Sequence, residues 1–181
     1  IITGTIDAHE GRDVATLDLP GAYLHTDNNE ETIMLLKGKL AELMVQVDPK
    51  LYRPFVITSS KNEPMLYVKL SKALYGLLQS ALLFYKKLVK ELEAIGFEVN
   101  PYDPCVANRM VNGSQQTVTW HVDDLKVSHM DPKVNTEFIN YMKGIYGDKV
   151  TVVRGKVHDY LGMDLDFSKP GVLRVSMIKY V

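Results

Sequence analysis

Asp123 and Asp124 stand side by side between two apolar runs, Val118 to Val122 and Leu125 to Ser128. Far upstream, Asp18 closes a third run, Val14 to Leu17, just before Leu19-Pro20-Gly21. Carboxylates are hard oxygen donors, and three of them at strand ends can hold two divalent cations. Such a pair of cations suits phosphoryl and nucleotidyl transfer. One lowers the pKa of an attacking hydroxyl, and the other neutralises the leaving pyrophosphate. Each piece alone has a plainer reading. An Asp-Asp pair between strands also suits a turn, and an Asp before Pro-Gly also suits a cap.

The elements that must position these carboxylates follow from periodicity. Val14 to Leu19 reads as a buried strand stopped by Pro20-Gly21. Thr32 to Leu36, Tyr52 to Ile57 and Met65 to Leu70 read as strands, and Lys39 to Val47 as a helix. A long helix is predicted from Ser71, as N-cap, to Ile95, stopped by Gly96. Its apolar face is Leu74, Leu77, Leu78, Ala81, Leu82, Tyr85, Leu88, Leu92 and Ile95. Residues 104–130 read as a three-strand meander, with Asn112-Gly113 in a slightly longer loop between Val106–Val111 and Thr117–Val122 and Asp123-Asp124 in the second turn. Asp131-Pro132 opens a helix running to about Tyr146. Val150 to Val153, Tyr160 to Phe167 and Val172 to Val175 complete the strands. The pattern predicts an α+β fold, an antiparallel sheet with helices packed on one face.

Bulk composition narrows the class. The chain has 181 residues, 46% hydrophobic and 24% charged, enough for one globular domain with a real core. No apolar run is long enough for a membrane span, and no signal peptide is visible. The single cysteine, Cys105, excludes an internal disulfide and points to an intracellular compartment, cytoplasm or nucleus. Ile1-Ile2-Thr3-Gly4 has strand character and suggests a piece of a longer polypeptide. Net charge is −1 but uneven. Residues 1–36 carry one Arg against seven acids, and residues 37–90 carry ten Lys and Arg against three acids. The middle of the chain could therefore face phosphates while the acidic parts hold metal.

The sequence around these residues resembles the copia-type retrotransposon reverse transcriptases. Asp18-Leu19-Pro20-Gly21-Ala22-Tyr23 resembles their first palm motif, an Asp followed by an aromatic five residues later. His121-Val122-Asp123-Asp124 resembles their aromatic-X-Asp-Asp motif. Leu74 to Lys87, Tyr160 to Leu165 and Asn100 to Val106 resemble three further family segments, in the same order.

The resemblance implies a reverse-transcriptase-like palm over residues 1–181, a fragment without the upstream fingers or the downstream thumb and ribonuclease H. It implies an RNA-directed DNA polymerase that adds deoxynucleotides to a primer 3′-hydroxyl. Asp18, Asp123 and Asp124 would be the catalytic residues and the ligands of two Mg²⁺ or Mn²⁺ ions. Tyr23 would be the steric gate against a ribose 2′-hydroxyl. Gly76 and Gln79 would line the nucleotide side, and Gly162 and Met163 the primer grip. Partners would be RNA or DNA template-primer, deoxynucleoside triphosphates and other parts of the same polyprotein, with no membrane.

The chain also departs from the pattern. His121 replaces the usual Tyr or Phe. Leu78 to Leu82 lacks a Lys, a Pro and an Arg found in the family segment. These departures keep a second reading open, an inactive retroelement remnant that binds nucleic acid or protein without turnover. A metal-dependent phosphodiesterase with His121 as an added ligand is a third.

Overall fold

The computed structural model describes residues 1–177. In chain order the elements are α1 (Ile2–Glu10), β1 (Asp13–Asp18), β2 (Ile33–Lys37), α2 (Lys39–Val47), α3 (Pro49–Tyr52), β3 (Ile57–Thr58) and β4 (Pro64–Lys69). Then come α4 (Ser80–Ala94), β5 (Glu98–Val99), β6 (Val106–Val111), β7 (Ser114–His121), β8 (Asp124–His129) and α5 (Pro132–Tyr146). The last are β9 (Thr151–Arg154), β10 (Val157–Tyr160), β11 (Met163–Asp166) and β12 (Arg174–Ser176).

Six strands form an antiparallel sheet in the order β5-β6-β7-β8-β1-β9. The meander predicted over residues 104–130 is its centre. Val111 pairs with Ser114, so Asn112 and Gly113 alone make the first turn, with φ of 51° and 78°. Both residue types tolerate that left-handed backbone. Of two smaller three-stranded sheets, β2-β4-β3 is inserted in sequence between β1 and β5, and β10-β11-β12 follows β9.

One face of the large sheet presents Ala15, Leu17, Val118, Trp120, Leu125 and Val127. These pack on Phe84, Leu88 and Leu92 of α4 and on Phe138, Ile139 and Met142 of α5. Burying each such side chain contributes about 1.5–3 kcal/mol, so this layer carries much of the stability. The predicted antiparallel sheet is what the molecule has, with α4 and α5 packed together on one face. The opposite face is also covered. There α1 and the β10-β11-β12 sheet meet it through Ala8, Val14, Tyr160, Leu165 and Phe167.

Four expectations are corrected. The strand-like opening is helix α1, closed by Gly11 at φ 69°. Asp7 and Ala8 are buried against the sheet, and that packing outweighs the β-branched residues at the start. The stretch Tyr52 to Ile57 is mostly a helical turn. Asp48 accepts from the Leu51 amide at 3.0 Å, Pro49 starts the turn, and Pro54 denies the segment a strand amide. The long helix begins at Ser80, not Ser71, because Gly76 at φ 94° breaks the chain into turns. Its buried residues are Ser80, Phe84, Leu88 and Leu92, while Leu78 is 99% exposed and Leu82 53%. Finally, Tyr160 to Phe167 is no single strand. Leu161 and Gly162, at φ 54° and 73°, form a turn between β10 and β11. Gly162 sits in that turn and Met163 begins the returning strand.

Among the described residues no helix is long and apolar enough to cross a membrane.

Candidate active site

Strand pairing sets the geometry of the carboxylates. His121 lies opposite Asp124, Asp124 opposite Asp18, and Asp18 opposite Thr151. Directly opposed residues project to the same face of a sheet. The result is one cross-strand row, His121–Asp124–Asp18–Thr151, at one end of the large sheet. Asp123 sits in the tight turn between β7 and β8. Its carbonyl accepts from the Leu19 amide at 3.0 Å, which ties the turn to the residue after Asp18. All three acids are half-buried.

That turn holds strain. Val122 has φ 55°, a conformation a β-branched side chain adopts only under constraint, at about 1–3 kcal/mol. The flanking strands impose it, since His121 and Asp124 are already paired.

The row carries surplus negative charge. Burial raises the Asp124 carboxyl above its ordinary pKa, and repulsion from Asp123 and then Asp18 raises it further. His121 opposes the shift, and Asp159 on β10 adds to it. Thr151 donates to an Asp18 oxygen at 3.4 Å, and the Tyr75 hydroxyl donates to Asp123 at 3.2 Å. Burial also raises the Tyr75 phenol, followed by the charge of Asp123 and the hydrogen bond to it. Tyr75 therefore stays a protonated donor.

Tyr23 follows from Pro20-Gly21. Gly21 at φ 69° turns the chain into a single helical turn, Ala22–His25, with Ala22 buried beneath. The Tyr23 ring lies 4.4 Å from the Tyr75 ring and 6.1 Å from Phe84, centroid to centroid. Tyr23 thus flanks the carboxylates through Tyr75. Gly76 comes next in the chain. No atom lies within 4 Å of where its Cβ would be, so the protein's own need there is for φ 94°. Gln79 is turned elsewhere. It donates to Glu30 beside a small cavity of about 150 Å³ lined by Asn28, Thr32 and Leu78, away from the three acids. Met163 lines a larger cavity of about 490 Å³, with Thr119, Lys126 and Tyr160, on the face that carries the row.

Beneath the row lies a second polar row that sequence reading missed. Thr119, Lys126 and Thr16 are mutually paired across β7, β8 and β1. Lys126 forms a buried ion pair with Asp7 of α1. Thr16 meets His158 Nδ1 at 3.4 Å, and the Tyr160 hydroxyl donates to the Thr119 carbonyl at 3.3 Å. No local pattern signals these contacts, because each joins elements distant in sequence. Tyr75 had a weak signal, an aromatic directly before a glycine in a turn.

The family implies divalent cations, and the donor set fits them in type. Three all-oxygen ligands share one sheet end, and Asp124, pushed up by burial and then by neighbouring anions, has a charge that a cation would balance. Among the described residues no three His, Cys, Asp or Glu side chains are already gathered into a ligand cluster. The side chains must turn inward to share an ion.

An antiparallel sheet of this topology, with helices packed on it, is an α+β, palm-like fold. Residues 2–181 match the family model described as reverse transcriptase (RNA-dependent DNA polymerase), and the chain belongs to that family. Two solved structures share the fold. One is the apo telomerase from Candida tropicalis truncated from its C-terminal domain, with TM-score 0.52, 10% identity, and coverage of 97% of this chain and 38% of that one. The other is the apo telomerase from Candida tropicalis, with TM-score 0.51, 10% identity, and coverage of 96% and 35%. The chain thus spans well under half the length of these proteins.

Proposed function

We propose that this chain is the palm-like core of an RNA-directed DNA polymerase from a copia-like retroelement. The primer 3′-oxygen attacks the α-phosphorus of a deoxynucleoside triphosphate. A P–O bond forms, the bond to the β-phosphate's bridging oxygen breaks, and pyrophosphate leaves. Asp18, Asp123 and Asp124 would hold Mg²⁺ or Mn²⁺, which when bound supplies charge neutralisation at the triphosphate and acidifies the 3′-hydroxyl. Tyr75 orients the Asp123 carboxylate by its hydrogen bond. Tyr23, buttressed by Tyr75 and Phe84, would stand against a ribose 2′-hydroxyl. Gly162 and Met163 would bear on the primer side, and Gly76 on the nucleotide side.

The observation that carries this reading is the row Asp124–Asp18 with Asp123 in the adjoining strained turn. Primer extension on an RNA template with Mg²⁺ or Mn²⁺ tests it, with Asp123→Asn as control. Extension by the parent chain and none by the variant is expected. Extension that survives Asp123→Asn removes the assigned site.

One observation favours the second reading, a remnant that binds without turnover. Leu78 and Leu82 point to solvent where the family segment carries cations, and Gln79 is engaged by Glu30. Template-primer binding without any extension would select it.

A further inference from the structure

The β2-β4-β3 sheet has an open face that the polymerase reading leaves unused. Ile33 lies opposite Lys69, Leu35 opposite Tyr67, and Lys37 opposite Met65, which also faces Ile57. Antiparallel partners share a face, so these seven residues project together. The alternate residues Met34, Leu36, Leu66 and Val68 point the other way, into a core with Ala41 and Met44 of α2. The first set looks outward. Tyr67 is 55% exposed, Ile33 59% and Ile57 47%, and both lysines are exposed. Tyr67 is the middle of three rows. Lys69 occupies the row on one side and Lys37 the row on the other, each displaced by about 7 Å along the strands.

An aromatic ring on a flat, apolar sheet face, bracketed by ammonium groups, is a surface for stacked bases and their phosphates. The charge of the unit agrees. Residues 33–69 hold six Lys and Arg against three acids, a net of +3 in a chain whose total is −1. Two of those cations, Lys37 and Lys69, stand on the open face itself. Lys69 meets Glu31 at 3.8 Å, but both side chains are largely in solvent, and such a pair yields readily to a phosphate. The two long strands also lead back to the carboxylates. Asn28 bonds the Ser71 carbonyl and Ala73 the Thr26 carbonyl, just before Tyr23 and Tyr75 close on Asp123.

We propose that this face binds single-stranded nucleic acid, with Tyr67 as the stacking ring and Lys37 and Lys69 as phosphate contacts. The proposal rests on the polymerase reading, which requires an unpaired template strand near the site. A protein would need no such clustering of cations around one ring.

The test is binding of a fluorescently labelled single-stranded RNA oligonucleotide to the 181-residue chain, read by anisotropy over a range of salt. Tyr67→Ala is expected to weaken binding about tenfold and Tyr67→Phe to leave it unchanged. Lys37→Gln with Lys69→Gln should lower the slope of log K against log salt by about 1.4, roughly 0.7 per phosphate released. All three side chains are on the surface, so circular dichroism should show the parent fold. Parent-like affinity and slope in these variants would overturn the proposal. So would an absence of binding by the parent, or self-association of the parent that Tyr67→Ala abolishes, which would make the face a contact between two copies. The outcomes separate from the polymerase reading. Platform-dependent binding without primer extension keeps the platform and sinks the polymerase. Extension with parent-like binding by the variants does the reverse.

Discussion

Two rows of side chains lie one step apart on the same three strands and the same face, and they solve the problem of charge in opposite ways. The outer row sets Asp124 beside Asp18 and Asp123, and burial followed by their repulsion raises the Asp124 carboxyl. The inner row sets Lys126 between two threonines and closes it with Asp7, both buried to within a few per cent. Burying an unpaired charge is prohibitive, so the interior must compensate each one. Only at the half-solvated sheet end can like charges stay together, and they do so at some expense to the fold. A site that stability alone does not explain is where function belongs.

The comparison breaks first at the charges themselves. Lys126→Met removes the nearer of two cations from buried Asp7, leaving Arg12 at 3.9 Å, and should cost up to about 3–5 kcal/mol. For a chain of this size that lowers Tm by roughly 6–20 °C in a thermal melt. Adding Asp7→Leu should recover part of the loss, because that pair becomes apolar together while Arg12 keeps Glu10 at 2.7 Å. Asp124→Asn in the outer row should leave Tm unchanged or raise it, most clearly at low salt, while abolishing primer extension. A Tm loss for Asp124→Asn as large as that for Lys126→Met would show that both rows are structural.

Acid sharpens the contrast, because the rows titrate with opposite sign. Burial lowers the His158 pKa, with the Lys126 and Arg154 charges adding to the effect and the Gly155 carbonyl opposing it. The folded state therefore refuses a proton that the unfolded chain accepts below its ordinary value of 6.5. Stability from this group is full above that value and falls as pH drops through it. Asp124 works the other way. Its folded carboxyl binds a proton more readily than the unfolded one, so protonation favours the fold at pH values just above 3.8. Melts from pH 7.5 to 5 should show a declining Tm that His158→Gln flattens. Equal slopes for parent and variant would mean that His158 is already charged in the fold.

Much of this architecture is written locally. Asn112-Gly113, Asp131-Pro132 and the alternation of β6, β7 and β8 are short-range signals, and the structure follows them. Helix α4 is different. Its leucine-rich approach permits two phases, and only Gly76 and the size of Phe84 choose between them. The three acids stand out in the sequence by type and spacing. Their alignment with His121 and Thr151 does not, because β1 enters between β8 and β9 by a choice that no local pattern records. The inner row is invisible for the same reason. Asp7, Lys126 and His158 read as surface residues until three separate elements bury them.

The smallest effect concerns the hinge between turn and row. Val122 at φ 55° stores about 1–3 kcal/mol, and glycine adopts that backbone freely. Glycine also loses more entropy on folding, about 0.5–1 kcal/mol. Val122→Gly should therefore stabilise the chain by up to about 1 kcal/mol in denaturant titrations, with an unchanged m-value. Its effect on the site should run the other way. Pairing of His121 with Asp124 and the Leu19–Asp123 bond would still close the turn, but Asp123 would sample more orientations. Metal affinity measured by calorimetry should then weaken even as the fold gains. If Val122→Gly loses stability instead, the left-handed valine is relaxed by its surroundings, and the turn owes its shape to the flanking strands alone.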